Sequence, residues 1–274
     1  MNKKLAIQLV ALFLVTQVLA LYVGIQLIEQ DVHATVINDD PNDVVNSFGL
    51  IAYILGFTAV LLLFIKFLKD KFVYYLMKII ESLAIFGTSL IVFASFIDSI
   101  YVVLLSLALV IARVVFSKNI WLRNFAGMLA VVGAGALIGV SLGVFPVLVF
   151  MVLLATYDYI AVFKTKHMVT LAKSITKKNL AFTYAMPTKE HTFELGTGDL
   201  VIPITFSVSL LGAYSKYVFP YNLIPSILIM GAALGGLLAT IAFSSRNVGK
   251  ALPALPPQTV LMVAAYIAIV AVGF

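Results

Sequence analysis

The chain has 274 residues, of which 62% are hydrophobic and only 11% charged, with a formal net charge of +6. Soluble domains hold about 45–50% apolar and about 25% charged residues, so this composition excludes an ordinary soluble fold. No cysteine is present, which removes disulfides, thiol nucleophiles and thiolate metal sites. The basic residues lie between apolar runs rather than on one face, which favours a membrane border over nucleic acid.

Apolar stretches fall at 5–27, 48–68, 72–96, 100–117, 120–142, 145–163, 195–215, 220–244 and 252–274. Each is long enough to cross a hydrocarbon core of about 30 Å as a helix of roughly 20 residues. The first, behind Lys3 and Lys4, exceeds a signal-peptide core of about 7–15 residues and is expected to be a retained span. The expected class is an all-α membrane protein with nine transmembrane helices. The ranges 1–163, 164–194 and 195–274 read as a six-helix bundle, a loop and a three-helix bundle, together one integral membrane unit.

Charge sets the orientation. Sixteen of the eighteen basic residues fall on alternate connectors, while Glu29, Asp31, Asp39, Asp40, Asp43 and Asp98 mark the opposite side. The positive-inside rule places the N-terminus in the cytoplasm and, with nine spans, the C-terminus outside. Two connectors are long. The acidic outer one, 28–47, holds a turn-prone run at 38–43. The basic inner one, 164–194, has amphipathic spacing at Met168, Leu171, Ala172 and Ile175 and an expected mobile half around 187–191.

Two acids interrupt the apolar pattern near that inner loop. Asp158 lies six residues before Lys164, and Asp199 five after Glu194. On antiparallel helices they come to one depth, roughly 7–9 Å inside the border. A carboxylate in hydrocarbon is costly, so it marks a functional site by default. Either one alone is equally explained by snorkelling, or by pairing with Lys164 or Lys166. Two carboxylates that meet share a proton, which suits a water-activating pair. Gly196 and Gly198 permit irregular backbone before Asp199, and Pro253-Ala254-Leu255, followed by Pro256 and Pro257, opens the last span where regular helix fails. Tyr157 either packs in the core or lines the site.

Other signals weigh less. Gly139-Val140-Ser141-Leu142-Gly143 fits GxSxG, but Gly135, Gly139 and Gly143 read as a helix-packing stripe, as do Gly231 and Gly235. His33, His167 and His191 all fall in loops and HExxH is absent, which disfavours a zinc protease. Lys78 and Glu81 are spaced to form an ion pair on one helix face. Buried acids beside broken helices also fit a secondary transporter or ion leak, although no inverted repeat is visible.

Tyr157-Asp158, Gly196-Thr197-Gly198-Asp199 and Pro253-Ala254-Leu255, in order on stretches six, seven and nine, resemble the presenilin and signal peptide peptidase family of intramembrane aspartyl proteases. The inferred orientation resembles the presenilin branch, and the short inner loop a compact prokaryotic, archaeal member of a cell membrane. The resemblance implies Asp158 and Asp199 as catalytic aspartates. It implies Pro253, Ala254 and Leu255 as part of the substrate site, with Tyr157, Gly196 and Gly198 lining it. It implies no cofactor or metal, transmembrane-helix protein substrates in a lipid bilayer, no nucleic acid, and leaves a homo-oligomer open.

Overall fold

The computed structural model describes residues 3–164, 180, 182–187, 192–246 and 253–273. Among them are helices α1 (Lys3–Glu29), α2 (Val45–Phe67), α3 (Asp70–Ala94), α4 (Tyr101–Val115), α5 (Ile120–Ser141) and α6 (Val144–Phe163). A hairpin of β1 (Thr183–Pro187) and β2 (Thr192–Gly196) follows, then α7 (Gly198–Ala213), α8 (Ile224–Arg246) and α9 (Leu255–Ala271). In hydrocarbon every backbone polar group needs an internal partner, and apolar runs of this length satisfy that need as helix. Among the described residues, six helical stretches are long and apolar enough to cross a membrane, carried by α1, α2, α3, α5, α6 and Tyr221–Phe243.

The helices α4, α7 and α9 are shorter than the stretches expected at 100–117, 195–215 and 252–274, with 15, 16 and 17 residues. At 1.5 Å per residue they reach about 22–26 Å. Prolines delay the start of α9, and the hairpin takes the first residues of stretch seven: Leu195 and Gly196, expected in helix, are strand. The all-α expectation is corrected at this point. The alternating Tyr184, Met186 and Phe193, Leu195 give one apolar face, which packs into the main core. The strands pair antiparallel, with Thr183 opposite Gly196 and Pro187 opposite Thr192. The expected amphipathic segment of the inner loop, with Lys166, His167, Lys189 and His191, lies outside the described residues, and Pro187 ends β1.

The core is built around α7. From Ile202 to Leu211 every residue is buried, so the helix is apolar all round and enclosed. It packs against α1, α5, α6 and α8. Small residues let the backbones approach. A Cβ on Gly135 would stand 2.6 Å from Ile204 Cγ2, and one on Gly139 2.8 Å from the Thr205 carbonyl oxygen. Buried hydroxyls add links between helices, with Ser209 donating to the Leu142 carbonyl at 2.7 Å and Ser226 to that of Ser207 at 2.6 Å.

The glycine stripe holds for Gly135 and Gly139. Gly143 instead meets the outer loop at Asn42. Gly231 has open space beside it and Gly235 only a loose contact, whereas Gly236 meets the Gln258 backbone at 2.7 Å. The crossing of α8 with α9 therefore rests on Gly236. By contrast, α2 lies at the periphery and buries only Asn46, Ser47 and Thr58.

The tightest contact in the core is at Gly133, where an added Cβ would stand 2.3 Å from the Thr88 carbonyl oxygen on α3. Backbone cannot yield there as a side chain would. Gly133→Ala is expected to destabilise the fold by about 1–3 kcal/mol, read as a lowered unfolding temperature in detergent.

Candidate active site

Asp158 lies in the penultimate turn of α6, and Asp199 in the first turn of α7. Both are half-buried, and α6 packs on both α7 and α9. The two carboxylates are electrostatic neighbours, the charge of Asp158 acting on Asp199. The structure therefore places the two acids that the sequence singled out within electrostatic reach of each other.

The third motif joins them through backbone. Ala254 caps α9 and Leu255 is its first residue. The first turn of a helix leaves N–H groups without partners. In α9 the prolines at 256 and 257 carry none, and the Gln258 N–H reaches the Ala254 carbonyl at 3.4 Å. The Leu255 N–H donates to the Asp158 carboxylate. The run Pro-Ala-Leu-Pro-Pro thus leaves one outward donor, aimed at an acid, with the positive end of the helix dipole behind it. Asp158 thus accepts from this N–H; of the two lysines offered as alternative partners, Lys166 lies outside the described residues.

Around Asp199 the chain changes from strand to helix within three residues. Gly196 ends β2, Thr197 caps α7 and Gly198 begins it. Thr197 is tied down by its N–H and its Oγ1, which both donate to the Phe182 carbonyl, at 3.2 and 3.0 Å. The Asp199 carboxylate folds back over Gly196, where a Cβ would stand 3.4 Å from Oδ2. Beside Gly198 there is open space. Pro203 has no N–H, so the Asp199 carbonyl lacks its usual helical partner.

Tyr157 shares a hydrogen bond with Thr58 and so fastens α6 to α2 beside Asp158. Of the remaining expected residues, Pro253 lines a cavity of about 340 Å³ with Tyr159, Phe163, Ala239, Thr240 and Phe243. A second, apolar cavity of about 520 Å³ runs between α6 and α9. Tyr159 and Pro256 line both. Neither was named as a site residue from sequence, although Tyr159 adjoins Asp158 and Pro256 belongs to the proline-rich opening of the last span.

The other polar groups that the sequence singled out, Ser141 and the Lys78–Glu81 pair, have structural partners. The Ser141 hydroxyl donates to the Leu137 carbonyl at 2.6 Å and accepts from the Ala34 N–H at 2.8 Å, fixing the outer loop to α5. The Lys78–Glu81 pair forms at 2.7 Å and gains Arg113 at 3.0 Å, a buried three-residue cluster near the α3–α4 interface. Among the described residues, no group of three or more His, Cys, Asp or Glu side chains gathers as a metal site would require.

An antiparallel helix pair presenting two acids at one site, braced by a proline-broken helix start, defines a membrane-embedded carboxylate centre. The family described as "Signal-peptide peptidase, presenilin aspartyl protease" matches residues 10–194. That is about two thirds of the chain, and the chain belongs to this family. The match includes Asp158 and ends before Asp199. Two solved structures of a presenilin family intramembrane aspartate protease share the fold. The C222 crystal form aligns with TM-score 0.66, 21% identity and 94% coverage of both chains. The P2 form aligns with TM-score 0.68, 23% identity and 96% coverage of both. No curated protein matches the chain. The protein is thus an integral, multi-pass membrane protein and an aspartic-type intramembrane endopeptidase.

A Cβ at Gly196 would just touch the Asp199 carboxylate, so the γ-methyls of a branched side chain would compete for the space beside it. Gly196→Val is expected to lower the turnover of a transmembrane peptide by ~10–100-fold, with KM changed little. Steady-state cleavage in detergent checks this.

Proposed function

We propose that Asp158 and Asp199 form the catalytic pair, hydrolysing peptide bonds within transmembrane segments of membrane proteins. The observation that carries this reading is the meeting of three chain segments, with the Leu255 N–H on Asp158 and the Asp158 charge acting on Asp199. A pair that shares one proton can take a proton from water with one carboxylate. The other carboxyl protonates the scissile carbonyl oxygen. Water's oxygen bonds to the carbonyl carbon to give a gem-diol. Its collapse breaks the C–N bond, with a proton delivered to the leaving nitrogen.

A substrate helix must open before this chemistry, since a helical peptide bond is enclosed by its own hydrogen bonds. The apolar cavity between α6 and α9 offers a lateral docking groove that ends near Pro256 and Leu255. Pro253, Ala254 and Leu255 form the substrate-facing rim, and the open space at Gly198 leaves room for the chain to approach Asp199. An opened segment needs new partners for its N–H and C=O groups in the membrane. The edge of β2 supplies them by strand addition, because the outer edge of β1 is occupied by α5 at Thr183 and Ala185.

The same reading holds nine spans, with α4, α7 and α9 completing the six longer ones. It places the N-terminus in the cytoplasm and the site near the cytoplasmic border, as the alternation of basic connectors supports. The divisions 1–163, 164–194 and 195–274 then follow chain order within one membrane unit, because α7 packs into α1, α5 and α6.

Asp158→Asn and Asp199→Asn are each expected to reduce cleavage of a transmembrane peptide by ~100- to 10,000-fold. Robust proteolysis by either variant would remove the pair from the mechanism. The wild-type rate is expected to rise and fall with pH. At low pH both carboxyls are protonated and no base remains; at high pH both are ionised and no acid remains. A rate flat across the acidic-to-alkaline range would contradict the shared proton.

A further inference from the structure

Asp199 lies at a strand-to-helix junction, and both sides of that junction are fastened to one helix, α5. On the C-terminal side, α7 rests on Gly135 and Gly139 of α5, where a Cβ would collide with Ile204 and Val208. On the N-terminal side, the hairpin is gripped by the start of α5. Arg123 donates from Nε and Nη2 to the Thr183 carbonyl at 3.1 and 3.0 Å. Its Nη2 also meets Thr183 Oγ1 and Glu194 Oε2. The Thr183 hydroxyl donates to the same Glu194 oxygen at 2.6 Å, which ties the two strands together beneath the guanidinium.

Asn124, the next residue, behaves as a neighbouring strand would. Its Nδ2 donates to the Ala185 carbonyl at 2.8 Å, and its Oδ1 accepts from the Ala185 N–H at 2.9 Å. Two hydrogen bonds to one residue fix both the height and the rotation of β1. Register carries that constraint to β2, where Ala185 lies opposite Glu194 and Thr183 opposite Gly196. From Gly196 to Asp199 is three residues, with Thr197 bonded back to Phe182 just before β1. Arg123 is only 3% exposed, so its charge is held out of water and its bonds are not loosened by solvent.

The geometry points to Arg123 and Asn124 as positioning residues that set the Asp199 carboxylate against Asp158 through the hairpin, touching neither the acids nor the substrate groove. The proposal rests on Asp199 being one of the catalytic pair. A fixed hairpin is needed because a short strand pair with one free edge is only marginally stable alone. A displacement of about 1 Å at a reacting group can cost roughly 100-fold in rate.

The test uses the full chain in detergent with a transmembrane peptide substrate, reading kcat, KM and unfolding temperature for Asn124→Ala, Arg123→Gln, Arg123→Lys and Asp199→Asn. Asn124→Ala and Arg123→Gln are expected to lower kcat by ~10–100-fold while KM stays within about threefold. Arg123→Lys, which keeps the charge and a donor, is expected to recover part of the loss. Should Asn124→Ala fail to fold, Asn124→Asp, which retains the acceptor for Ala185, is measured in its place and is expected to show the same fall in kcat. A merely structural clamp would lower the unfolding temperature and leave kcat per folded molecule unchanged. That result, with Asp199→Asn inactive, overturns the positioning role and leaves the catalytic pair standing. A rise in KM at constant kcat overturns it as well. Cleavage by Asp199→Asn removes the catalytic pair itself, and the positioning role with it.

Discussion

The hydrogen bond from the Leu255 N–H to the Asp158 carboxylate satisfies two demands at once. A helix that begins inside a membrane has donors with no water to take them, and an acid in the same place has lone pairs with no solvent. Prolines at 256 and 257 remove two of those donors, and the acid accepts the one that remains outside the helix. The proline-broken start of α9 and the acid on α6 are thus each the reason the other is tolerated. The cavities between α6, α8 and α9 follow from the same break, because α9 begins late and leaves Pro253 and Pro256 at their walls.

The second acid is held by different means. Asp199 heads α7, the most enclosed helix, and glycines on α5 set how close that helix can come. The hairpin before it is polar in its fastening and apolar in its face, so it is pinned to α5 on one side and sunk into the core on the other. One acid therefore sits on a helix bordering a groove, and the other on a junction braced from both ends.

Much of this was legible in the residues. The nine apolar stretches correspond to the nine helices described, and Asp158, Asp199 and Leu255 come together as three motifs in order suggested. The packing role of Gly135 and Gly139 followed from four-residue spacing. The hairpin was not legible, because five-residue strands beside a loop carry little periodic signal and Leu195 and Gly196 looked like the start of a span. Gly236 was passed over for Gly231 and Gly235, since spacing cannot tell which side of α8 meets α9. Arg123 counted only as part of a basic border and Asn124 carried no signal; only the fold shows that they reach sixty residues along the chain to Thr183 and about as far to Ala185. Pairings across such distances depend on topology, which composition and periodicity do not encode.

The central claim is that Asp158 and Asp199 act on one reacting centre. An experimental structure of the full chain bound to a transmembrane peptide carrying a hydroxyl isostere of the gem-diol tests it most directly. Both carboxylates are predicted to lie within about 3 Å of the isostere hydroxyl, with the opened peptide running past Leu255. A hydroxyl bound by only one aspartate, or held away from both, would contradict it.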